Sequence, residues 1–337
     1  MMKLKIKHYI LIGALALILA LGGWLMATVF VKHQSDEMLL EIRPGDSAAT
    51  IGAKLQAAGV IPNGRYFALL ARITGDDRDL KTGAYKFGGK VNLLETVHML
   101  RAGNSEAISI TFPEGWSMYR TLKRIDRSGL VSFDSLMAVA TDPVVVKTLT
   151  GLDLPSLEGF LYPETYRFEL GMSPYQILEI QTKEFFTRLA KAGIDAKADS
   201  SFYDKVKLAS IVESESMYED ERATVAGVYM NRLAKGMKLE ACPTVDYFLE
   251  KQGIKREVLL ISDVNTPNPY NTYLNLGLPP TPICNPSISS IVAVYNPERH
   301  NYLFFQADRQ GRNVFSVTYR EHLRKMKNLP SRVQREE

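Results

Sequence analysis

Two glutamates near the middle of the chain have the residue type and the spacing to do acid–base chemistry. They lie at the end of the apolar stretch 208–216. At about 100° per residue in a helix, Glu213 falls beside Ala209. By the same count Glu215 falls beside Ile211. Both carboxyl groups are therefore expected on the apolar side, where loss of solvent disfavours the charged form and can keep a carboxyl group protonated near neutral pH.

A buried, protonated carboxyl group is what a general acid needs when it must protonate a glycosidic oxygen. The structural alternative is that one of these glutamates only forms an ion pair with a neighbour such as Arg222. The spacing does not decide between these interpretations, and it does not distinguish Glu213 from Glu215. Acid catalysis by one of the two is a hypothesis at this point.

The composition excludes several other kinds of protein. Of the 337 residues 46% are hydrophobic and 23% charged, and 16 tyrosines and 14 phenylalanines can build cores, so a disordered chain is excluded. The net charge of +4 comes partly from N-terminal lysines. No basic run interleaved with aromatic residues lies away from the two ends, so no nucleic acid is expected as a partner. The five histidines show no HExxH spacing, and neither a metal centre nor a cofactor is predicted.

The N-terminal part predicts a membrane anchor. Segment 10–31 has no charged residue and would form a helix of about 33 Å. Lys3, Lys5 and Lys7 precede it, so residues 1–9 are expected in the cytoplasm and the rest of the chain outside, at the cell (inner) membrane. A cleaved signal peptide is the alternative, but the apolar run is long for one and no A-x-A site closes it.

Residues 38–104 are predicted to form a small α+β module, near the lower size limit at which a hydrophobic core can stabilise a domain by itself. In chain order its expected elements are a strand at 38–42, helices at about 47–58 and 63–73, a strand at 83–87, and a helix at 93–101 stopped by Gly103.

The remainder, 105–337, is predicted to be a larger α+β catalytic domain. Its expected elements are a strand at 108–112, an amphipathic helical region at 117–147, and helices at 174–191, 200–218 and 221–235. The rest reads as loop, with six prolines between Pro267 and Pro286. A loop of this kind inside a folded domain is more often functional than idle.

Motifs spread over much of this domain resemble the YceG-like family of endolytic murein transglycosylases. They are Glu158-Gly159, Tyr162-Pro163, Thr165-Tyr166, the stretches 208–215 and 225–233, Pro243-Thr244-Val245, 270–273, 277–280, Asn285-Pro286, 302–305 and Ala307-Asp308. They occur in order, between about residues 112 and 323.

The resemblance implies a reaction and assigns its acid to Glu213. The family cleaves the bond between N-acetylmuramic acid and N-acetylglucosamine in nascent glycan strands without water, leaving 1,6-anhydro ends. One carboxyl group suffices, because the attacking 6-hydroxyl belongs to the same sugar and is already positioned. The resemblance also implies that residues 38–104 are a LysM-like glycan-binding module, and that peptidoglycan synthases in the same membrane are partners.

Two alternatives remain open. A hydrolytic muramidase or glucosaminidase would need a second carboxylate at a set distance. The candidates are Glu215, Glu240, Asp246 and Asp263. A wall-binding scaffold, in which Glu213 is structural, is the non-enzymatic alternative.

The segment 270–273 suits a sugar site. The rings of Tyr270 and Tyr273 can stack on pyranose faces, while Asn271 and Thr272 can satisfy sugar hydroxyls. A structural turn is the alternative. Substrate binding is also predicted for Thr244, and for Asn231, which could orient Glu213 or a sugar N-acetyl group but could equally be a packing residue.

The chain has two cysteines, Cys242 and Cys284, each of which lies next to one of the motifs. Motifs that converge on one cleft outside the cytoplasm favour a disulfide between them. Two independent buried thiols are the alternative.

Overall fold

A computed structural model of the chain describes residues 19, 23, 27–43, 45–103, 106–327 and 333–334. Among these residues no helix is both long and apolar enough to cross a bilayer. The predicted cytoplasmic segment 1–9 lies outside the described residues, and so does most of the predicted membrane helix 10–31.

The chain divides into two compact units, and both contain helices and strands, so the predicted α+β class is confirmed. The first unit is Met1–Ile108 with Arg167–Met172. The second is Ser109–Tyr166 with Ser173–Glu337. The sequence placed a boundary at residue 104 and gave the segment 167–172 to the catalytic domain, whereas contacts group that segment with the first unit.

The first unit is built on a two-stranded sheet whose strands are separated in the chain by two helices. Its elements are β1 (His33–Ile42), α1 (Ala48–Ala57), α2 (Gly64–Ile73), β2 (Gly83–Val91) and α3 (Leu93–Ala102). β1 and β2 pair antiparallel, and both are longer than the predicted strands. Ser47, Asn63 and Asn92 begin the three helices by accepting backbone N–H groups.

The core of this unit lies between the two-stranded sheet and the helices. Phe67, Tyr85 and Phe87 are fully buried in it. Gly52 and Gly64 let α1 and α2 touch backbone to backbone, since a Cβ at Gly52 would lie 2.2 Å from the Gly64 carbonyl oxygen.

From residue 107 onward the chain is mainly helical. Its elements are β3 (Ala107–Thr111), α4 (Met118–Arg127), α5 (Phe133–Ala140), α6 (Pro143–Thr150), β4 (Thr165–Glu169), α7 (Pro174–Lys191), α8 (Phe202–Glu215), α9 (Arg222–Ala234), α10 (Cys242–Lys251), β5 (Leu259–Leu260), α11 (Ile261–Asn265), α12 (Ile288–Tyr295), β6 (Phe304–Ala307), β7 (Asn313–Ser316), α13 (Tyr319–Met326) and β8 (Val333–Gln334). The strand pairs are β3 with β4, β5 with β8, and β6 with β7.

The region expected to be helical at 117–147 is three helices. Gly129 adopts a left-handed backbone conformation (φ 77°) after α4. Ser132 caps α5, and Asp142 caps α6, where Pro143 occupies the first turn. The pattern therefore predicted helical structure here, while caps and a turn divide the region into three helices.

α8 lies at the centre of the second unit. It packs against α9, α10 and α12. Val206, Ala209, Ile211 and Val212 are fully buried in the main core. A helix buried on several sides explains why its sequence is apolar almost all round before the glutamates.

The part expected to be loop after residue 236 contains more regular structure than the sequence predicted. α10 begins where a strand or turn was expected near Thr244, because Pro243 fits the first turn of a helix. Ser287 caps α12, and β6 and β7 form a hairpin. The many prolines are largely confined to the segment between α11 and α12.

Candidate active site

The carboxyl group of Glu213 is held by donors from two neighbouring helices. One oxygen accepts from the backbone N–H of Ser287 at 3.0 Å, the hydroxyl of Ser287 at 2.6 Å and the hydroxyl of Ser290 at 2.7 Å. The other accepts from the guanidinium of Arg222 at 3.0 Å. The side chain is only 4% exposed, so its orientation is fixed.

The surroundings of Glu213 favour negative charge. Ser287 is the capping residue of α12, and the N-terminus of a helix carries partial positive charge. Arg222 begins α9, is buried, and also donates to the hydroxyls of Ser287 and Ser289. The ion pair that the sequence raised as a structural alternative therefore exists. It can equally stabilise the carboxylate left after a proton has been donated.

A second carboxyl group, which the sequence analysis did not select, shares Arg222. Glu114 accepts from the same guanidinium nitrogen at 3.5 Å. It precedes Gly115, whose backbone is left-handed (φ 72°) and whose missing Cβ would lie 3.7 Å from the Cγ of Glu213. Pro113-Glu114-Gly115 has the composition of a sharp turn after the predicted strand 108–112. A carboxylate in that turn was the one signal that could have pointed to a site.

Asn285 ties three loops together next to Glu213. Its side-chain oxygen accepts from the backbone N–H groups of Gly159 and Leu161, both at 3.0 Å. Its side-chain nitrogen donates to the carbonyl of Trp116 at 2.9 Å, and its own carbonyl accepts from Gly115. Because Asn285 is 2% exposed, these bonds fix the loop of Glu114 relative to the start of α12.

The arrangement around Glu213 is thus a buried carboxyl group with an adjacent cation and a half-open second carboxyl group. A model of the YceG-like family matches residues 40–328. The chain belongs to the YceG-like family. Its predicted membership is therefore confirmed. The expected enzyme class, the murein lytic transglycosylases, is confirmed by relatives that are named endolytic murein transglycosylases.

Several relatives support this assignment. The chain is 28% identical to the endolytic murein transglycosylase of Bacillus subtilis (strain 168) over 308 residues, 86% of this chain and 84% of that protein. It is 27% identical over 322 residues to the protein of the same name from Streptococcus pneumoniae serotype 2, covering 83% of this chain and 56% of that longer relative. A crystal structure of a yceG-like protein from Listeria monocytogenes is 30% identical, with a TM-score of 0.59, covering 86% of this chain and 99% of that one.

Glu215 does not share the surroundings of Glu213 in this YceG-like protein. Two residues later on α8, it is 5% exposed and lines a cavity of about 240 Å³. Cys242, Tyr273, Arg232 and His322 line the same cavity. The burial predicted for both glutamates is present, and the structure separates their surroundings.

The other three candidates for a second carboxylate have different positions. Glu240 pairs with Arg232 at 2.9 Å. Asp263 accepts from the backbone of Leu260 at the start of α11, and Asp246 is exposed on α10. In the part of the chain that the structure describes, Glu114 is the carboxyl group that joins Glu213 at Arg222.

Most of the predicted sugar-binding residues are used inside the protein. Asn271 is fully buried and donates to the carbonyls of Val264 and Thr266. The buried hydroxyls of Thr244 and Thr272 lie 3.0 Å apart. These three side chains shape the turn between α11 and α12, which corresponds to the structural alternative.

The two tyrosines of the segment are more accessible. Tyr270 and Tyr273 are half-buried. The hydroxyl of Tyr270 lies 3.0 Å from that of Thr281. Asn231, by contrast, lies on α9 and donates its side-chain N–H groups to the carbonyls of His300 and Tyr302, in the loop before β6. The structure therefore does not bring Asn231 to Glu213.

The predicted disulfide is absent, and that prediction was wrong. Cys242 and Cys284 are free cysteines. The sulfur of Cys242 lies 3.0 Å from the hydroxyl of Tyr273, whereas that of Cys284 lies 3.3 Å from the carbonyl oxygen of Ser210. The motifs next to Cys242 and Cys284 contact different parts of α8 and its neighbours, so the two thiols have different surroundings.

Thiol titration checks this correction. Protein purified without reductant and then denatured should show two free thiols. In the native protein Cys284 should react much more slowly than Cys242, because burial raises the pKa of the Cys284 thiol well above its usual value and lowers its thiolate fraction. If the denatured protein shows thiols only after reduction, the two cysteines form a disulfide and the correction is wrong.

Glu158 is a buried carboxyl group that links α4 to α10. It accepts from the backbone N–H of Met118 at 2.8 Å and from the hydroxyl of Tyr247 at 3.0 Å. Burial raises the pKa of Glu158 to about 7, although both hydrogen bonds oppose the shift. The group therefore changes charge in the folded protein near neutral pH.

The free energy of unfolding should depend on pH through Glu158. Since the folded state binds this proton more tightly than the unfolded chain, stability should fall as pH rises from about 4.5 to about 7, by about 3 kcal/mol. Glu158→Gln keeps an acceptor for the backbone N–H of Met118 and should remove this part of the pH dependence of the free energy of unfolding. Denaturant unfolding at several pH values measures it, with Glu164→Gln as the exposed control. Parallel curves for wild type and Glu158→Gln would contradict the prediction.

Proposed function

We propose that this protein cleaves nascent peptidoglycan strands internally, as a lytic transglycosylase with Glu213 as its acid and base. The observation that carries the proposal is the buried carboxyl group of Glu213, held by Arg222, Ser287 and Ser290. Membership of a family whose curated relatives are named endolytic murein transglycosylases supports it.

In the proposed reaction the protonated form of Glu213 first donates its proton to the oxygen that links N-acetylmuramic acid to N-acetylglucosamine, and the bond from C1 to that oxygen breaks. The 6-hydroxyl oxygen of the same muramic acid then bonds to C1, and its proton returns to Glu213. No water is consumed. Between the two steps the carboxylate is stabilised by Arg222 and the backbone N–H of Ser287.

We propose that Tyr270 and Tyr273 contact the sugar, since their rings remain partly accessible. The buried Asn271, Thr272 and Thr244 would hold the turn in shape rather than touch substrate. Tyr270→Phe should keep the ring that contacts the sugar and lose only the contact of the hydroxyl with Thr281.

Digestion of nascent strands by the purified protein tests the proposal. Internal cutting predicts a rapid fall in mean strand length with little release of disaccharides at early times. Unchanged strands that still bind the protein would favour the wall-binding scaffold. Disaccharides as the first product would contradict internal cutting.

We also propose that segment 10–31 anchors the chain in the cell membrane with the catalytic domain outside, close to peptidoglycan synthases. The charge pattern around the segment is the support. A reporter fused after Glu337 should be active outside the cytoplasm, and the protein should stay in membranes after a carbonate wash. A soluble form beginning near Thr28 would show a cleaved signal instead.

The module at 38–104 is proposed to be LysM-like and to hold the glycan. The support is its two-stranded sheet with packed helices, which share one core and belong to the first compact unit. Co-sedimentation of Glu213→Gln protein with purified murein should persist, because this variant keeps the module, and its loss would contradict this role.

A further inference from the structure

Glu114 lies beside Glu213 and is far more open to solvent. Its side chain is 54% exposed, against 4% for Glu213, although both carboxyl groups contact the same nitrogen of Arg222. Neither carboxyl oxygen lies more than 3.5 Å from this nitrogen, so the contacting oxygen of Glu114 and that of Glu213 are at most about 7 Å apart. Carboxyl pairs that cleave glycosidic bonds are separated by about 5 to 9.5 Å. Glu114 is therefore close enough to reach a sugar held against Glu213.

The backbone fixes this position. The carbonyl of Trp116 accepts from both the backbone and the side chain of Asn285, at 2.8 and 2.9 Å. The N–H of Gly115 donates to the carbonyl of Asn285 at 3.3 Å. The loop that carries Glu114 is thus tied to the segment that leads into Ser287, the residue that holds Glu213.

One cation serves two carboxyl groups here. Arg222 makes the shorter contact with Glu213, which also accepts from Ser287 and Ser290. In the part of the chain that the structure describes, the 3.5 Å contact with Arg222 is the one hydrogen bond that the Glu114 carboxyl group accepts. Burial, and then the negative charge of Glu213, raise the pKa of Glu114, so the two groups are electrostatically coupled. When Glu213 carries a proton, the second of these causes is removed, and the carboxylate form of Glu114 is favoured.

We infer that Glu114 is a second catalytic carboxyl group, whose carboxylate faces C1 of the muramyl ring while Glu213 donates its proton. This inference rests on the proposed function. As the bond to C1 breaks, positive charge develops on C1 and the ring oxygen. A fixed negative charge at that place stabilises the transition state more than the substrate. Glu114 forms no bond and transfers no proton, and the 6-hydroxyl still supplies the new oxygen at C1.

Steady-state cleavage of a defined glycan strand by Glu114→Gln tests the inference. We expect kcat to fall about a hundredfold with KM little changed, because the interaction is made mainly in the transition state. Glu114→Asp keeps the charge on a shorter side chain and should recover part of kcat. The melting temperature of each variant is measured alongside.

Glu164→Gln is the matched control. Its side chain is 45% exposed and pairs with Arg188, so it resembles Glu114 in exposure and in having an arginine partner. We expect its kcat to equal that of the wild type. An equal loss in both variants would overturn the inference, because surface charge alone would then account for it.

The outcomes separate this inference from the proposed function. If Glu213→Gln is inactive while Glu114→Gln keeps kcat within about threefold of wild type, the role of Glu114 is overturned and the proposed function stands. If Glu114→Gln and Glu114→Asp lose activity equally and melt at lower temperature, Glu114 is structural and the inference is again overturned. Wild-type products with reducing ends would overturn the proposed function, and this role with it.

Discussion

Glu213→Gln should lower the rate of glycan cleavage at least about a hundredfold, the usual scale for loss of a general acid. The amide keeps the size of the side chain and can still accept from Ser287 and Ser290, but it has no acidic proton to donate and cannot act as a base. Circular dichroism should show an unchanged fold, and strands should still bind. Cleavage is followed by chromatography of labelled strands.

Glu215→Gln is the control for this variant, because Glu215 lies on the same helix, is also buried and lines the cavity of Cys242 and Tyr273. Its activity should fall much less. If both variants lost activity equally, or only Glu215→Gln were inactive, the assignment of the acid to Glu213 would be wrong.

The second large effect concerns stability. Arg222→Met should lower the free energy of unfolding by about 3 to 5 kcal/mol at pH 7, because it leaves the buried carboxylate of Glu213 without its cation. Methionine keeps much of the volume, so lost packing contributes little. Denaturant unfolding provides the measurement.

Two further variants identify the cause. Arg188→Met removes a cation that is 41% exposed, and should lower stability by less than about 1 kcal/mol. The double variant Arg222→Met with Glu213→Gln should be more stable than Arg222→Met alone, since no unpaired buried charge remains. A double variant no more stable than the single one would contradict this explanation.

Local patterns predicted part of this fold well. α7 occupies the predicted range, because Ser173, Pro174 and Gln176 form a complete start signal for a helix. The apolar pattern before Glu213 predicted a helix buried on several sides, and α8 is one. Both signals are local, because the residues that make up each of them lie within a few positions of one another. Local signals of this kind can be read from one sequence.

Features that depend on distant parts of the chain were not predicted. An ion pair with Arg222 was raised as an alternative for the glutamates, but nothing in the local pattern indicates that Arg222 also contacts Glu114, 108 residues earlier in the chain. Ser287 and Ser290 lie in the part that was expected to be loop, whereas Ser287 caps α12 and both hydroxyls hold Glu213. The expected disulfide failed for the same reason, because two motifs can adjoin one helix without bringing their thiols together.

The chemistry of the new chain ends tests the central claim most directly. Strands cut by the wild-type protein are isolated, treated with borohydride and analysed by mass spectrometry. The 6-hydroxyl attack predicts 1,6-anhydro-muramic ends, which are lighter by one water than reducing ends and resist reduction, and Glu213→Gln should produce almost none. Ends that take up hydrogen from borohydride would show that water attacks C1, and would contradict a transglycosylase.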